Sequence, residues 1–299
     1  MAYYIKEGQS SIFREIKLYE NECRISRLNS NSSKKKIEKI VKKIKKKKIE
    51  EVVLSKEIKQ NKEFIQELNN YDITIFDGKW FMQYMISQII CYLEKKEKIS
   101  TVEEITILAN DLTNEVKQNI QKFLNTYKKI RIVTNHLEKF KRIEEELYET
   151  TGISIILTNN KRKALSKSEL IINFDFVQET INQYNIYEKA IIINLNNVIK
   201  INKKRFCGLV ITDYEVEFLK NEKQNESELL ELDDILKKQE EFSLKETLEE
   251  KIYSSVRNTP NYNMFETVEN IIKTYNIKIS KLYGINRRNK LKKAQKKPI

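Results

Sequence analysis

Few residues in this chain are suited to chemistry, and they are scattered. His136 is the only histidine, and Cys23, Cys91 and Cys207 are far apart, odd in number and outside any Cys-x-x-Cys pair. Such spacing argues against a zinc cluster or a disulfide framework. Asp77-Gly78 follows an apolar run and offers a carboxylate on a flexible turn, although a plain strand-to-helix turn with Asp77 as its cap uses the same two residues. The most telling stretch is Asn110-Asp-Leu-Thr-Asn-Glu115, which closes the apolar run Ile105–Ala109. In a doubly wound fold this is the first strand-to-helix turn, where glycines let the backbone approach a dinucleotide's pyrophosphate and a helix N-terminus faces its charge. Here the turn has no glycine. Asp111 or Thr113 can cap the helix and Glu115 suits its positive end, yet the same carboxylates repel a phosphate.

The elements that must position these residues follow from hydrophobic spacing. Ile105–Ala109, Ile130–Val133, Ile153–Leu157 and Leu170–Ile172 are short apolar runs. Between them, Val116, Ile120, Phe123 and Leu124, and then Phe140, Ile143 and Leu147, recur at helical spacing. Strands alternating with helices of about 10–15 residues predict βαβ crossovers and a parallel sheet. Upstream, Ser32 or Ser33 caps a helix to about Lys48 with Ile37, Ile40, Val41 and Ile44 on one stripe. Ile49–Ile58 reads as a strand, Phe64, Ile65 and Leu68 as the inner side of a helix, and Ile73–Phe76 as another strand. Lys79–Leu93 is apolar nearly all round, which predicts a single helix buried on most sides, connecting a first domain to a second. Residues 12–28 contain one or two edge strands.

The expected fold class is therefore α/β. A small N-terminal α/β domain with its connector helix (residues 1–97) precedes a Rossmann-like, doubly wound parallel sheet (98–220) and a helical C-terminal extension (221–299). Within that extension, Glu222–Glu250 is rich in acids and carries Leu229, Leu230, Leu232, Ile235 and Leu236 as a helical stripe. Asn258–Asn261 breaks the helix, a short helix covers Phe265–Tyr275, and Ile277–Leu282 forms a last strand or a strand-like cover.

The net charge of +13 is concentrated in two runs. Lys34–Lys48 sums to +9 and Arg287–Lys297 to +7, so removing both from +13 leaves −3 for the remainder. A lysine face on a helix is the solvated side of an amphipathic element, or a surface that tracks phosphates; the acidic helix near Glu222–Glu250 could also cover it. Trp80–Leu93 is shorter than the roughly 20 residues of a membrane-spanning helix, and the opening residues carry no basic end followed by an apolar block. No membrane partner and a cytoplasmic location are expected.

Several segments, taken in order, resemble one family. Ile75-Phe-Asp-Gly-Lys-Trp-Phe81 is similar to the N-T-D-G-x-G-F stretch that ends the substrate domain of shikimate dehydrogenases. Val133-Thr-Asn-His-Leu-Glu-Lys-Phe140 resembles the v-x-N-R-T-x-x-K-A segment of those enzymes and of glutamyl-tRNA reductases. Leu170–Asp175 resembles their D-x-v-I-N-x-T, and Ile191–Leu195 with Gly208–Asp213 resembles their last two strands. The resemblance implies NAD(P) as the cofactor if any is used, with Asn110, Asp111, Thr113, Asn135, His136 and Asn173 around it. His136 stands where the family's arginine would hold a 2′-phosphate, and an imidazole is a weaker anchor than a guanidinium. It also implies a catalytic pair: Asp77 matches the family's aspartate, and Lys56, at the end of the Val52 strand, is the lysine available although no N-V-T-x-P-x-K segment precedes it.

Three functions fit this reading. The missing glycines and the missing lysine motif favour a degenerate dehydrogenase-like protein with no cofactor, acting by binding a protein partner or a small ligand in an interdomain cleft. An active NAD(P)-dependent oxidoreductase is the second. The third is a non-specific binder of nucleic acid or an anionic surface through Lys34–Lys48 and Arg287–Lys297.

Overall fold

The computed structural model of the protein describes residues 2–8, 22–26, 28, 33–96, 102–196, 199–218, 241–257 and 264–286. The expected acidic stripe around Leu229–Leu236, the break at 258–261 and the basic run 287–297 lie outside them, as does most of 12–28. By contacts the chain divides into two units: Met1–Phe81 with Val216–Lys278, and Met82–Glu215 with Ile279–Ile299.

The first unit is built on a parallel four-stranded sheet in the order β2-β1-β3-β4. Its strands are β1 (Tyr3–Gly8), β2 (Glu22–Ser26), β3 (Glu51–Leu54) and β4 (Thr74–Phe76). Alternation sends Ile5, Val52 and Leu54 to one core. There they meet Ile37, Ile40, Val41 and Ile44 of α1 (Lys34–Lys46) and Phe64 and Leu68 of α2 (Lys62–Asn70). The helical stripe is as the spacing predicts; Ser33 stands at the N-cap position but makes no side-chain cap hydrogen bond, and the helix ends at Lys46. The opposite alternation, Tyr4, Val53 and Phe76, packs with Ala2, Phe242 and Tyr253.

The supposed C-terminal extension is not one body. Helices α9 (Leu244–Arg257) and α10 (Met264–Thr274) fall within the first unit by contacts, because the second face of its sheet needs an apolar cover and Phe242 and Tyr253 supply it. The strand that follows, β11 (Ile277–Asn286), joins the larger sheet.

The second unit alternates β5 (Glu104–Leu108), α5 (Asn114–Leu124), β6 (Lys129–Val133), α6 (Leu137–Thr151), β7 (Ile156–Thr158), α7 (Lys161–Leu165), β8 (Leu170–Asn173), α8 (Gln178–Gln183), β9 (Ile191–Asn194) and β10 (Leu209–Phe218). Its seven-stranded sheet runs β11-β10-β9-β8-β5-β6-β7, with β5 through β10 parallel. Starting from β5 the chain adds β6 and β7 on one side, then crosses to add β8, β9 and β10 on the other. That is the doubly wound, Rossmann-like order. Every residue of β8 and β9 is buried, which explains why these strands are continuous apolar runs without alternation.

The predicted single helix over Lys79–Leu93 is two: α3 (Lys79–Met82) and α4 (Ile86–Lys96). At the break, the Gln83 carbonyl accepts a hydrogen bond from Asn119 Nδ2 at 3.2 Å. Nor is α4 buried all round, since Ile86, Ile89, Ile90 and Leu93 are buried while Cys91 is exposed. Among the described residues no helix is long and apolar enough to cross a membrane.

Candidate functional site

The strand order of the second unit reverses between β5 and β8, and ligands of open α/β sheets bind outside the carboxyl ends of strands at such a point. Asp175, just past β8, occupies that position. Its Oδ2 accepts the backbone N–H of Asn110 at 2.7 Å and of Asp111 at 3.0 Å, and its Oδ1 accepts Asn110 Nδ2 at 3.2 Å. Asn110 Oδ1 in turn accepts the N–H of Asn135, beyond β6, at 2.9 Å. Lys161, at the start of α7, donates its ammonium to Asn135 Oδ1 and lies 5.8 Å from the centroid of the Phe176 ring. Four strand ends are thereby tied together by side chains. Asp111 is exposed and accepts from Lys139 Nζ of α6 at 2.6 Å.

The electrostatics follow from these contacts. Burial pushes the half-buried Asp175 carboxyl above its ordinary value, against the opposing pull of the Asn110 and Asp111 N–H groups. The Lys139 hydrogen bond holds Asp111 below its own.

The remaining candidates sit beside or beneath this network. Thr113 caps α5, its Oγ1 accepting the Val116 N–H at 3.3 Å. His136 is exposed, and its N–H donates to Thr134 Oγ1 at 3.0 Å. Asn173 is buried: Nδ2 donates to Asn194 Oδ1 at 2.7 Å and to the Phe176 carbonyl at 2.9 Å, while Oδ1 accepts the Phe176 N–H at 3.0 Å. It locks the turn that carries Asp175.

The other two candidates belong to the first unit. Asp77 is exposed and its Oδ1 accepts the Lys79 N–H at 3.0 Å, as a helix cap does. Lys56 is also exposed, with its N–H donated to the Glu241 carbonyl at 3.0 Å. Next to Asp77, Gly78 has φ +81°, and a side chain there would collide with the buried stem of Lys245. Glu249 of α9 caps this turn: its carboxylate accepts the Gly78 N–H at 2.6 Å and the Phe81 N–H at 3.2 Å. Burial raises Glu249 to about 7.

Sequence pattern carries no signal for Lys139, Lys161 or Glu249 in these roles, while Asp175 is marked only as an acid at the end of the β8 run. The arrangement can hold backbone N–H groups in place and present alternating charge at the strand ends. Among the described residues, no group of three or more His, Cys, Asp or Glu is placed to hold a metal ion.

No protein-family model and no curated protein sequence matches the chain. Among solved structures it is similar to L-tryptophan dehydrogenase from Nostoc punctiforme, at 9% identity over 85% of this chain and 68% of that one, with a TM-score of 0.32. An NAD-dependent malic enzyme from Thermotoga maritima aligns at 17% identity over 60% of this chain and 50% of that one, with a TM-score of 0.30. Shikimate 5-dehydrogenase from Listeria monocytogenes aligns at 14% identity over 60% and 69%, with a TM-score of 0.27. At these scores the Rossmann-like fold rests on the strand order itself.

Proposed function

We propose that this is a dehydrogenase-like protein that does not transfer hydride and works by binding a small ligand or a protein partner. The observation that carries the reading is the seat of Asp175. Its carboxylate already occupies the Asn110 and Asp111 N–H groups, in the loop that leads from β5 to the N-terminus of α5, where a pyrophosphate would lie. A phosphate reaching them has to displace a carboxylate that accepts three hydrogen bonds, beside the second negative charge of Asp111. Donors to a charged acceptor are worth about 1.5–3 kcal/mol each, so the exchange gains nothing. The residues present do not fit a dinucleotide, and this opposes an active NAD(P)-dependent oxidoreductase.

The test reads those two N–H groups directly. In amide-resolved NMR of the full chain, the Asn110 and Asp111 signals stay in place on titration with millimolar NADH and NADPH. Saturable shifts of both signals would overturn the reading. A second, weaker activity is non-specific attachment to polyanions through α1, whose Lys34, Lys35, Lys39, Lys42, Lys45 and Lys46 are exposed.

A further inference from the structure

At the opposite, amino ends of the same parallel strands, the loops entering β8, β9 and β10 enclose a half-open cavity of about 620 Å³. That is within the roughly 300–1,000 Å³ of small-molecule sites. Phe206 and Ile186, both buried, belong to its apolar lining, and the half-buried Tyr187 adds a second ring. Lys189, Lys203, Lys204 and Arg205 line it against a single carboxylate, Glu188.

Some cations of this unit are paired and others are not. Lys117, Lys128, Arg131, Lys139 and Lys141 are each ion-paired, to Glu146, Glu103, Glu104, Asp111 and Glu138. Among the described residues, Lys189, Lys204 and Arg205 have no acidic partner. Like charges gathered on one concave surface repel one another and concentrate anions.

The walls are also fixed in advance. The Cys207 N–H donates to the Glu188 carbonyl at 2.8 Å and the Leu209 N–H to the Ala190 carbonyl at 3.1 Å, stitching the two basic loops together. Gly208 permits that approach, because a Cβ there would lie 2.0 Å from the Ala190 carbonyl oxygen. A pre-formed cavity loses little entropy when it takes a ligand.

We propose that this cavity binds a small phosphate-bearing molecule, its phosphoryl oxygens on Lys189, Lys204 and Arg205 and its flat or apolar portion against Tyr187 and Phe206. A compact ligand is favoured over an extended nucleic acid because these cations line a concave pocket. The test is calorimetric titration of the full chain with inorganic pyrophosphate and with AMP, compared with the exposed-site variant Lys204→Glu/Arg205→Glu and with Lys189→Gln. Saturable binding of either probe, weakened roughly tenfold or more in the double variant at unchanged circular dichroism, is expected. Lys189→Gln provides the comparison if the double variant misfolds, and should weaken binding severalfold. Absence of binding to both probes, or affinity unchanged in the folded variants, overturns the proposal. So does binding of oligonucleotides in this pocket without binding of either small probe. The Asn110 and Asp111 amide signals remain in place throughout, which separates this site from the strand-to-helix turn discussed above.

Discussion

Replacing Glu249 by glutamine should remove a large part of the pH dependence of the first unit's stability. Two opposing effects act on this carboxyl. The N–H groups of Gly78, Phe81 and Trp80 favour the ionised form, while burial and the neighbouring Asp77 charge favour the protonated one; burial wins and lifts the group from 4.5 to about 7. Below pH 4.5 Glu249 is protonated in both folded and unfolded chains, so its contribution to stability is fully present there. Between 4.5 and about 7 the unfolded chain releases the proton and the folded chain keeps it, so stability falls as pH rises. At 1.36 kcal/mol per pH unit the loss is roughly 3 kcal/mol. Glutamine does not titrate, so the stability difference between wild type and Glu249→Gln should fall by that amount over the window, whatever the variant's own offset. Trp80 is the chain's only tryptophan, sits on the turn that Glu249 caps, and meets Tyr253 edge-on at 6.1 Å. Urea unfolding followed by its fluorescence is therefore a local assay. A stability difference that is flat to within about 1 kcal/mol from pH 4.5 to 8 would show that the N–H groups, and not burial, control this carboxyl.

Two further outcomes are expected. Phe81→Ala should cost about 3–5 kcal/mol, because Phe81 is fully buried, whereas Trp80→Ala, at a half-buried ring, should cost about half as much; Ile89→Asn should match Phe81→Ala by burying an unsatisfied amide. Equal losses at positions 80 and 81 in denaturant titrations would contradict this burial-based account. For the α1 lysine face, duplex-DNA binding titrated against salt should give a log–log slope of roughly −0.9 per phosphate contact and no sequence preference, and binding that persists at high salt refutes it.

The second unit was largely legible from the chain because its information is local. Apolar runs of β-branched residues at Ile105–Leu108, Ile130–Val133 and Leu170–Ile172, separated by helical stripes and a Thr113 cap, leave little choice but a parallel sheet. The helix over Lys79–Leu93 was misread for the opposite reason. At its break the Asn119 amide donates to the Gln83 carbonyl, and nothing in the local periodicity reports a partner 36 residues away.

The site was less legible, and in both units the cause is the same device. A strand-to-helix turn exposes N–H groups that must find acceptors. In the first unit the acceptor is Glu249, 171 and 168 residues from the Gly78 and Phe81 it serves; in the second it is Asp175, 65 residues from Asn110. Glu249 lies in an acidic stretch that reads as a solvated helix face. Yet Glu246, Glu249 and Glu250, at i, i+3 and i+4, lie close together on one side of α9 and are all buried, with Glu250 accepting the Tyr4 hydroxyl at 3.0 Å. Composition cannot separate an acidic face turned to water from one turned to backbone donors, because both carry the same residues at the same spacing. What differs is the demand for acceptors at a distant turn. The glycine-free Asn110–Glu115 segment carried half of that information: it lacks the residues that most readily let a backbone approach a pyrophosphate. It does not show that Asp175, just past β8 and 65 residues from Asn110, accepts the N–H groups of that turn.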